Sequence, residues 1–232
     1  MQLLGHLQNF FSCTSMVVHV EALGSHRIKV HSLLCQELHE VVNKVSKILP
    51  EIEAVRPGCS SGIGIEALCV LINELDKAKS VLHHCRVSSK LYLVLTGESI
   101  LLRCKKSRSI LEQCLNQIQN MVHVELASEI IEVLADIKRA KFSLDPSEEE
   151  AGKVLLQLLH EYATESDSIQ EISSSAIQVA STRLHIRSTL AVSKEKTSIK
   201  KMLSKGGDSD SKKRKILLLF LDLLNKYGKQ FT

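Results

Sequence analysis

The stretch SSKLYLVLTGESILLRC, from Ser88 to Cys104, has two interpretations, and the choice between them decides the fold. In the first, an apolar strand from Leu91 to Leu95 runs into a turn at Thr96-Gly97, and a helix follows. That order of elements builds phosphate-binding loops, because free backbone N–H groups at a helix N-terminus hold an anion. In the second, the stretch is a buried helix that is capped by the serine hydroxyls at its start and interrupted at the glycine.

The residues around Gly97 do not complete a catalytic loop. Residues 96–99 (TGES) match a short motif of P-type ion-pumping ATPases, but such a site also needs a phosphorylated aspartate motif and membrane helices, which the sequence lacks. A Walker loop needs Gly-Lys-Ser/Thr after the glycine. A glycine inside a helix costs about 1 kcal/mol relative to alanine and usually marks close packing or a bend. We therefore expect a buried helix.

Composition also favours an all-α fold. The chain has 232 residues, enough for one large domain or two small ones with a real core. Apolar residues make up 44% and aromatic residues only 3% of the chain, whereas sheet proteins are usually richer in aromatic and turn residues. The 30 basic and 26 acidic residues give a net charge of +4, which is too small to indicate nucleic acid binding.

Apolar residues recur at three- and four-residue spacing, which predicts seven or eight helices. The first is expected from His26 to Leu49, with Pro50 ending it or nearly so. Asp145 as a cap, Pro146 in the first turn and the acidic residues that follow predict the start of a later helix. After the segment KGGDSDS, a last apolar helix is expected from Lys213 to Tyr227. Leu219, Phe220, Leu223 and Tyr227 are predicted to pack it against the earlier helices.

The candidate catalytic and metal-binding residues do not combine into a site. His31, Cys35 and His39 share one helix edge, but His31 and His39 are separated by about 12 Å of helix rise, so a metal would need one pair and a distant partner. In His83-His84-Cys85 adjacent side chains point about 100° apart, which does not suit a Cys/His nucleophile. The seven cysteines, without CxxC spacing, indicate free thiols in a reducing compartment. We expect no catalytic residue, cofactor or metal.

The densest basic run is the candidate contact site for an anionic surface or a partner. It consists of Lys212, Lys213, Arg214 and Lys215. Such a run serves as a nuclear-import signal or an anionic-membrane contact, or it is only a solvated flank of an apolar helix. The N-terminus has no basic region followed by an unbroken apolar run, and no stretch reaches the ~18 apolar residues of a membrane span. A cytoplasmic and also nuclear location is expected.

Several segments together resemble one family. They are SKLYLVLTGES (89–99), LDPSEEEAGKVLLQLL (144–159), ASTRLHI (180–186) and SIKKML (198–203), with HRIKVHSLLCQEL (26–38) and KKRKILLLFLDLLNKYGK (212–229). In the same order, they are similar to the N-terminal domain of plant U-box E3 ubiquitin ligases, in the branch with armadillo repeats. The resemblance implies a helical bundle with an adaptor-like four-helix core and additional C-terminal helices, which recruits partners and targets. The U-box that follows it docks the ubiquitin-charged E2 enzyme.

The sequence departs from the family pattern in three places. It stops where the linker to the U-box would start, so ligase activity is not expected of this chain alone. SGIGIEALC, from Ser61 to Cys69, carries two extra residues in a loop. Residues 1–15 have no counterpart, which makes Met16 a candidate start.

The expected organisation has three parts: a poorly ordered extension (1–20), the helical bundle (21–205), and a hinge with the basic and apolar C-terminal helix (206–232). The leading hypothesis is a non-catalytic interaction domain for ubiquitination, whose partners are ligase targets, kinases or trafficking components. The alternative is a peripheral helical bundle that binds anionic membranes or phosphoinositides.

Overall fold

Nine α-helices form the part of the chain that the computed structural model describes, residues 28–58, 62–163, 169–205 and 211–231. These residues contain no β-strand, which confirms the all-α prediction. The predicted extension (1–20) and residues 206–210 of the predicted hinge lie outside the described residues, and the three-part division stays a prediction. The helices are α1 (Ser32–Val55), α2 (Ile63–Val87), α3 (Lys90–Leu95), α4 (Gly97–Gln119), α5 (Val124–Arg139), α6 (Pro146–Ala163), α7 (Ile169–Arg183), α8 (Thr189–Lys205) and α9 (Ser211–Tyr227), followed by a 3₁₀ turn (Gly228–Phe231).

The first group of helices, α1, α2, α4 and α5, packs around one apolar core. Helix α2 lies against α4 and α1, and α5 lies against both α1 and α4. Their apolar stripes meet inside, where Leu38, Leu75 and Leu111 are fully buried. This core also contains the buried carboxylate of Glu74 on α2. Its Oε1 accepts a hydrogen bond from Ser107 Oγ on α4 at 2.7 Å. This hydrogen bond satisfies two polar groups that burial would otherwise penalise.

The second group consists of α6 to α9, and the short helix α3 joins it to the first. Helix α6 packs on α7, α9 packs on α7 and α8, and α3 packs on both α4 and α6. Close approach of α3 and α6 requires glycine at position 152, since a methyl group there would lie 2.5 Å from the carbonyl oxygen of Val94. The sequence therefore places a residue without a side chain where two helix backbones meet.

The stretch from Ser88 to Cys104 is helical, as predicted, but it forms two helices. Helix α3 ends at Leu95, and Thr96 adopts φ −99° and ψ 11° before α4 begins at the buried Gly97. The hydroxyl of Thr96 donates to the carbonyl of Tyr92 at 2.8 Å, which satisfies a helix-end acceptor. Ser89 caps α3 as expected, because its Oγ accepts from the backbone N–H of Tyr92 at 3.2 Å. This split gives nine helices where the sequence predicts seven or eight.

Pro50 does not end the first helix, so that prediction is wrong. Helix α1 continues through Pro50 to Val55. A proline removes one backbone donor and crowds the preceding turn, but Ile52, one turn from the end, is fully buried. Core packing of this last turn therefore outweighs the local cost. The predicted start of α6 is confirmed, since the Asp145 carboxylate accepts from the backbone N–H of Ser147 at 2.9 Å.

The last helix, α9, is docked on the bundle. Leu217, Phe220, Leu223, Leu224 and Tyr227 form its buried face, and Leu219 is half-buried. The four residues predicted from the sequence to pack against earlier helices all contribute to this contact. Among the described residues, no helix has the length and apolar character needed to cross a membrane.

Candidate functional site

The structure divides the basic run at the start of α9 into two parts. Lys212, Arg214 and Lys215 are exposed. Lys213 is half-buried and turns inward, so that its Nζ lies 5.6 Å from the centroid of the Tyr92 ring on α3. An ammonium at this distance from an aromatic face is attracted by the ring quadrupole. The four residues therefore do not form one uniform basic surface.

Two further polar side chains gather around Tyr92. The His84 ring on α2 meets the Tyr92 ring edge to face, with centroids 6.2 Å apart. His84 Nδ1 also shares a hydrogen bond of 3.0 Å with Ser88 Oγ. We call His84, Ser88, Tyr92 and Lys213 the Tyr92 cluster. It brings together α2, the connection to α3, α3 itself and α9.

The electrostatics of the Tyr92 cluster are dominated by positive charge. Burial, followed by the positive charges of Lys213 and Arg103, lowers the pKa of His84 below its usual value, and His83 contributes in the same direction. The His84 imidazole is therefore neutral near pH 7. Arg103 is an exposed residue of α4. Its positive charge acts on the pKa of His84 in the same direction as that of Lys213.

The position of Tyr92 depends on a buried carboxylate from α8. Glu195 Oε1 accepts from the hydroxyl of Ser89 at 2.6 Å and from the backbone N–H of Leu91 at 3.0 Å. Lys90 adds a third link, because its Nζ donates to the carbonyl of Leu184 at 2.6 Å. These bonds fix the N-terminus of α3, and with it Tyr92 in the first turn of the helix. Glu195 is not among the residues predicted from the sequence, where its only signal is an acidic side chain on an apolar helix face.

His31, Cys35 and His39 do not converge. His31 precedes α1 in a left-handed conformation (φ 58°), and its ring is buried between α3 and α6. Its Nε2 lies 3.1 Å from the carbonyl of Leu93, whereas His39 Nε2 shares a hydrogen bond with the Asn43 amide at 3.0 Å. Among the described residues, no three His, Cys, Asp or Glu side chains are grouped as metal ligands. His31 instead has a structural role, because its ring contacts Leu93 on α3 and Glu148 on α6.

The five described cysteines are free thiols. Cys35, Cys85, Cys104 and Cys114 are buried in the core, and Cys69 is half-buried. Burial raises the pKa of Cys104 to about 12, and the pKa of Cys35 is raised by its hydrogen bond to Cys85 and by burial. That bond in turn lowers the pKa of Cys85, although Cys85 is fully enclosed. His84 bonds Ser88 rather than Cys85, so the adjacent pair is not arranged as a nucleophile and its base.

Comparison with known proteins reveals several relatives in Arabidopsis thaliana. U-box domain-containing protein 5 is 40% identical over 172 residues, which cover 74% of this chain and 23% of that protein. U-box domain-containing protein 6 is 35% identical over 204 residues, and U-box domain-containing protein 7 is 34% identical over the same length. These two alignments cover 88% of this chain and 26% of each relative.

The described bundle thus corresponds to a part of longer proteins, since the chain spans about a quarter of the length of these relatives. No family model and no solved structure matches the chain. The similarity nevertheless extends over most of the sequence, at identities that establish common ancestry. Homology over most of its length therefore makes this chain a relative of the plant U-box domain-containing proteins, as the resemblance in its sequence predicts.

Proposed function

We propose that this chain is a non-catalytic protein-interaction domain that recruits targets or partners for ubiquitination by plant U-box proteins. The observation that carries this proposal is the pattern of similarity: 88% of the chain aligns with only 26% of U-box domain-containing proteins 6 and 7. The resemblance assigns E2 docking to the U-box. We therefore assign the binding of targets or partners to the separate helical bundle.

The surface of the bundle is compatible with partner binding. Leu33 on α1, Leu102 on α4, Val124 on α5 and Leu190 on α8 are each more than 60% exposed. Because these side chains lie on four different helices, apolar exposure alone singles out no docking face. Charge is more concentrated, at the N-terminus of α9 and the adjacent Tyr92 cluster. That region is the best-supported contact site for a partner.

A chimeric ligase tests the proposal. In Arabidopsis U-box domain-containing protein 6, the region that aligns with this chain is either deleted or replaced by residues 28–231. Ubiquitinated proteins are then quantified by mass spectrometry of ubiquitin remnants in plant cells. We expect deletion to remove a set of substrates and the replacement to introduce a set specific to this chain. An unchanged substrate set in both variants, with the ligase still active, would contradict the proposal.

The proposal extends to partners and location. Ligase targets, kinases and trafficking components are the partners that the family resemblance implies, and no nucleic acid or cofactor is expected. We place the chain in the cytoplasm and also in the nucleus. A fluorescent fusion of the 232-residue chain in plant cells, compared with a variant in which Lys212, Arg214 and Lys215 are glutamine, tests the location. Exclusion of the wild-type fusion from both compartments would contradict it.

Peripheral binding to anionic membranes is the second candidate function. The observation that favours it is the exposure of Lys212, Arg214 and Lys215 in the first turns of α9. Each basic residue near an anionic membrane surface contributes about 1 kcal/mol. The apolar face of α9 is buried against α7 and α8, however, so it cannot insert while the helix is docked. Membrane binding would therefore rest on charge alone.

A further inference from the structure

We propose that the C-terminal end of α8 and the N-terminal end of α9 together form a surface that binds an acidic segment of a partner protein. This inference rests on the proposed function, since it names the chemistry of the partner that the bundle recruits. We call this surface the basic surface. It consists of six exposed cations: Lys200, Lys201, Lys205, Lys212, Arg214 and Lys215. The sequence predicts only the half on α9 as a contact site.

Helices α8 and α9 pack against each other as an antiparallel pair. At one end of the pair, the chain just after α9 lies against the first turn of α8, since a methyl group at Gly228 would be 2.9 Å from Cγ1 of Val192. At the other end, α8 finishes at Lys205 and α9 begins at Ser211, so that only residues 206–210 connect them. The end of α8 and the start of α9 are therefore neighbours.

Both of these helix ends also reach the first turn of α3. The backbone N–H of Ser89 donates to Sδ of Met202 on α8 at 3.3 Å. On α9, Nζ of Lys213 lies 5.6 Å from the ring centroid of Tyr92. The cations of the basic surface flank Met202 and Lys213 in the sequence, so the two contacts with α3 hold both halves of the surface at one place on the bundle.

The basic surface differs from other cations of the bundle in having no carboxylate partner. Lys44, Lys138 and Arg183 each form an ion pair with a carboxylate on a neighbouring helix. None of the six cations takes part in an ion pair with another residue of the described ranges. Glu195, the acidic residue of α8, is buried and accepts hydrogen bonds from α3 instead. The charge of the surface is thus available to an external ligand.

Positive charge at this position is unfavourable for the free protein. Helix α9 has no acidic residue in its first turn, and cations at the N-terminus of a helix are repelled by the positive end of its dipole. Lys212 and Lys215, three residues apart on that helix, also repel each other. The connection contributes Asp208 and Asp210, which leaves the cations in excess. An acidic ligand would relieve both kinds of repulsion.

The arrangement of the cations favours a flexible protein segment over a membrane. Successive residues of a helix point about 100° apart, so Lys200 and Lys201 face different directions, as do Arg214 and Lys215. A flat membrane would contact only some of these side chains, whereas an extended acidic segment can follow them around the two helix ends. Nucleic acid is disfavoured because the aromatic residues of α8 and α9, Phe220 and Tyr227, are buried and cannot stack on bases.

Fluorescence anisotropy with the full 232-residue chain tests the proposal. The probe is a labelled peptide of alternating glutamate and glycine, and its counterpart has glutamine in place of glutamate. We expect salt-sensitive binding of the glutamate peptide alone. One triple variant replaces Lys200, Lys201 and Lys205 by glutamine, and a second replaces Lys212, Arg214 and Lys215. Each should weaken binding by roughly tenfold, as the loss of three exposed ion pairs predicts.

The matched control replaces Lys47, Lys138 and Lys141 by glutamine, which removes the same charge from exposed positions outside the basic surface. We expect its affinity to stay within about twofold of the wild type, since no cation of the basic surface is changed. Urea unfolding of the α9 triple variant provides a second measurement. Its stability should be unchanged or higher, because the substitutions remove repulsion at the helix N-terminus.

Several results would overturn the inference. An equal loss of affinity in the control would show that only net charge matters. Full affinity in either triple variant would show that the two helix ends do not act as one surface, and a less stable α9 variant would show that its cations have partners within the protein. Binding to vesicles of phosphatidylcholine and phosphatidylserine that requires both triples, without binding of the peptide, would assign the surface to a membrane. If the chimeric ligase still gains chain-specific substrates after any of these results, only this inference fails and the proposed function stands.

Discussion

The imidazole of His31 contacts the carboxylate of Glu148, although 117 residues separate them in the sequence. The backbone N–H of His31 donates to Glu148 Oε2 at 2.9 Å, and the ring Nδ1 lies 3.0 Å from the same oxygen. His31 is therefore held at both its backbone and its ring by one side chain of α6. This contact ties the start of α1 to the second group of helices.

We expect the stability of the protein to decrease as pH rises above about 6.5, the ordinary pKa of histidine. Burial disfavours the charged ring, but the contacts with Glu148 and with the carbonyl of Leu93 outweigh it and raise the pKa of His31. A raised pKa means that the folded state binds the proton more tightly, so its stabilisation is complete below pH 6.5 and is lost as pH rises through the folded-state pKa. Urea unfolding at pH 6 and pH 8 measures this loss.

Glu148→Gln should remove most of that pH dependence and lower the free energy of unfolding by about 1–3 kcal/mol at pH 6. The substitution removes the negative charge of the side chain that contacts both the backbone N–H and the ring of His31. Glu149→Gln is the matched control, since Glu149 pairs with Lys153 at the surface. A pH dependence that Glu148→Gln leaves intact would show that another group is responsible.

Gly97→Val should destabilise the protein by about 1–3 kcal/mol. A methyl group at this position would lie 3.1 Å from Cε1 of the buried His31 ring and 3.4 Å from Cδ1 of Leu144. Thermal unfolding measures the loss, and Ser99→Val, at an exposed position of the same helix, is the control for β-branching. A raised melting temperature, or protection of this segment from hydrogen exchange by nucleotide, would refute the buried-helix interpretation.

Gly152→Ala is a sharper test, because the two relevant effects have opposite signs. Alanine normally stabilises a helix by about 1 kcal/mol relative to glycine. Here its methyl group would meet the backbone oxygen of Val94 at 2.5 Å, and a backbone cannot rotate away as a side chain can. We expect net destabilisation of about 1–3 kcal/mol in urea unfolding. Lys153→Ala provides the exposed comparison, and a more stable Gly152→Ala would show that α3 and α6 do not approach so closely.

We expect no ubiquitin transfer when this chain is combined with E1, E2, ubiquitin and ATP. The described cysteines are buried, or half-buried in the case of Cys69, and the resemblance assigns E2 docking to a U-box. Immunoblotting for polyubiquitin measures the outcome, with a complete U-box ligase as the positive control. Formation of polyubiquitin that depends on this protein alone would contradict the proposal that it is non-catalytic. Overexpression of the chain should raise the abundance of its target, because it competes with a complete ligase.

Phe220→Ala should cost about 3–5 kcal/mol, since it empties a fully buried site between α9 and the helices beneath it. Leu218→Ala, on the exposed side of α9, should change stability little. A small effect of Phe220→Ala on urea unfolding would show that α9 is not docked in solution.

A docked α9 should also bind anionic vesicles only weakly. Co-sedimentation with and without anionic lipid measures this binding, at low and at high salt. Strong, salt-sensitive binding that disappears when Lys212, Lys213, Arg214 and Lys215 are replaced by glutamine would favour the membrane function.

Local rules in the sequence were sufficient to predict the class of fold and most helix ends. The hydroxyl of Ser89, the carboxylate of Asp145 and the ring of Pro146 act within one helical turn, where hydrogen bonds join residues three or four positions apart. The apolar spacing that placed Phe220 on an inner face is local in the same sense.

Three helix ends differ from the prediction. Helix α1 begins at Ser32, although His26 was expected as its start, and a helix end separates Leu95 from Gly97. Pro50 does not end α1, because the burial of Ile52 is a tertiary effect that outweighs a local signal.

The pairing of polar side chains was decided only by the tertiary structure. Ser89 meets Glu195 across 106 residues of sequence, and His31 meets Glu148 across 117. The candidate site has the same origin, since the basic run was evident from the sequence but the contact of Lys213 with Tyr92 was not. Hydrophobic burial fixes which faces turn inward, yet it is non-directional and does not specify which helix lies opposite. The partner of each polar group is therefore determined once the packed helices bring distant residues within hydrogen-bonding distance.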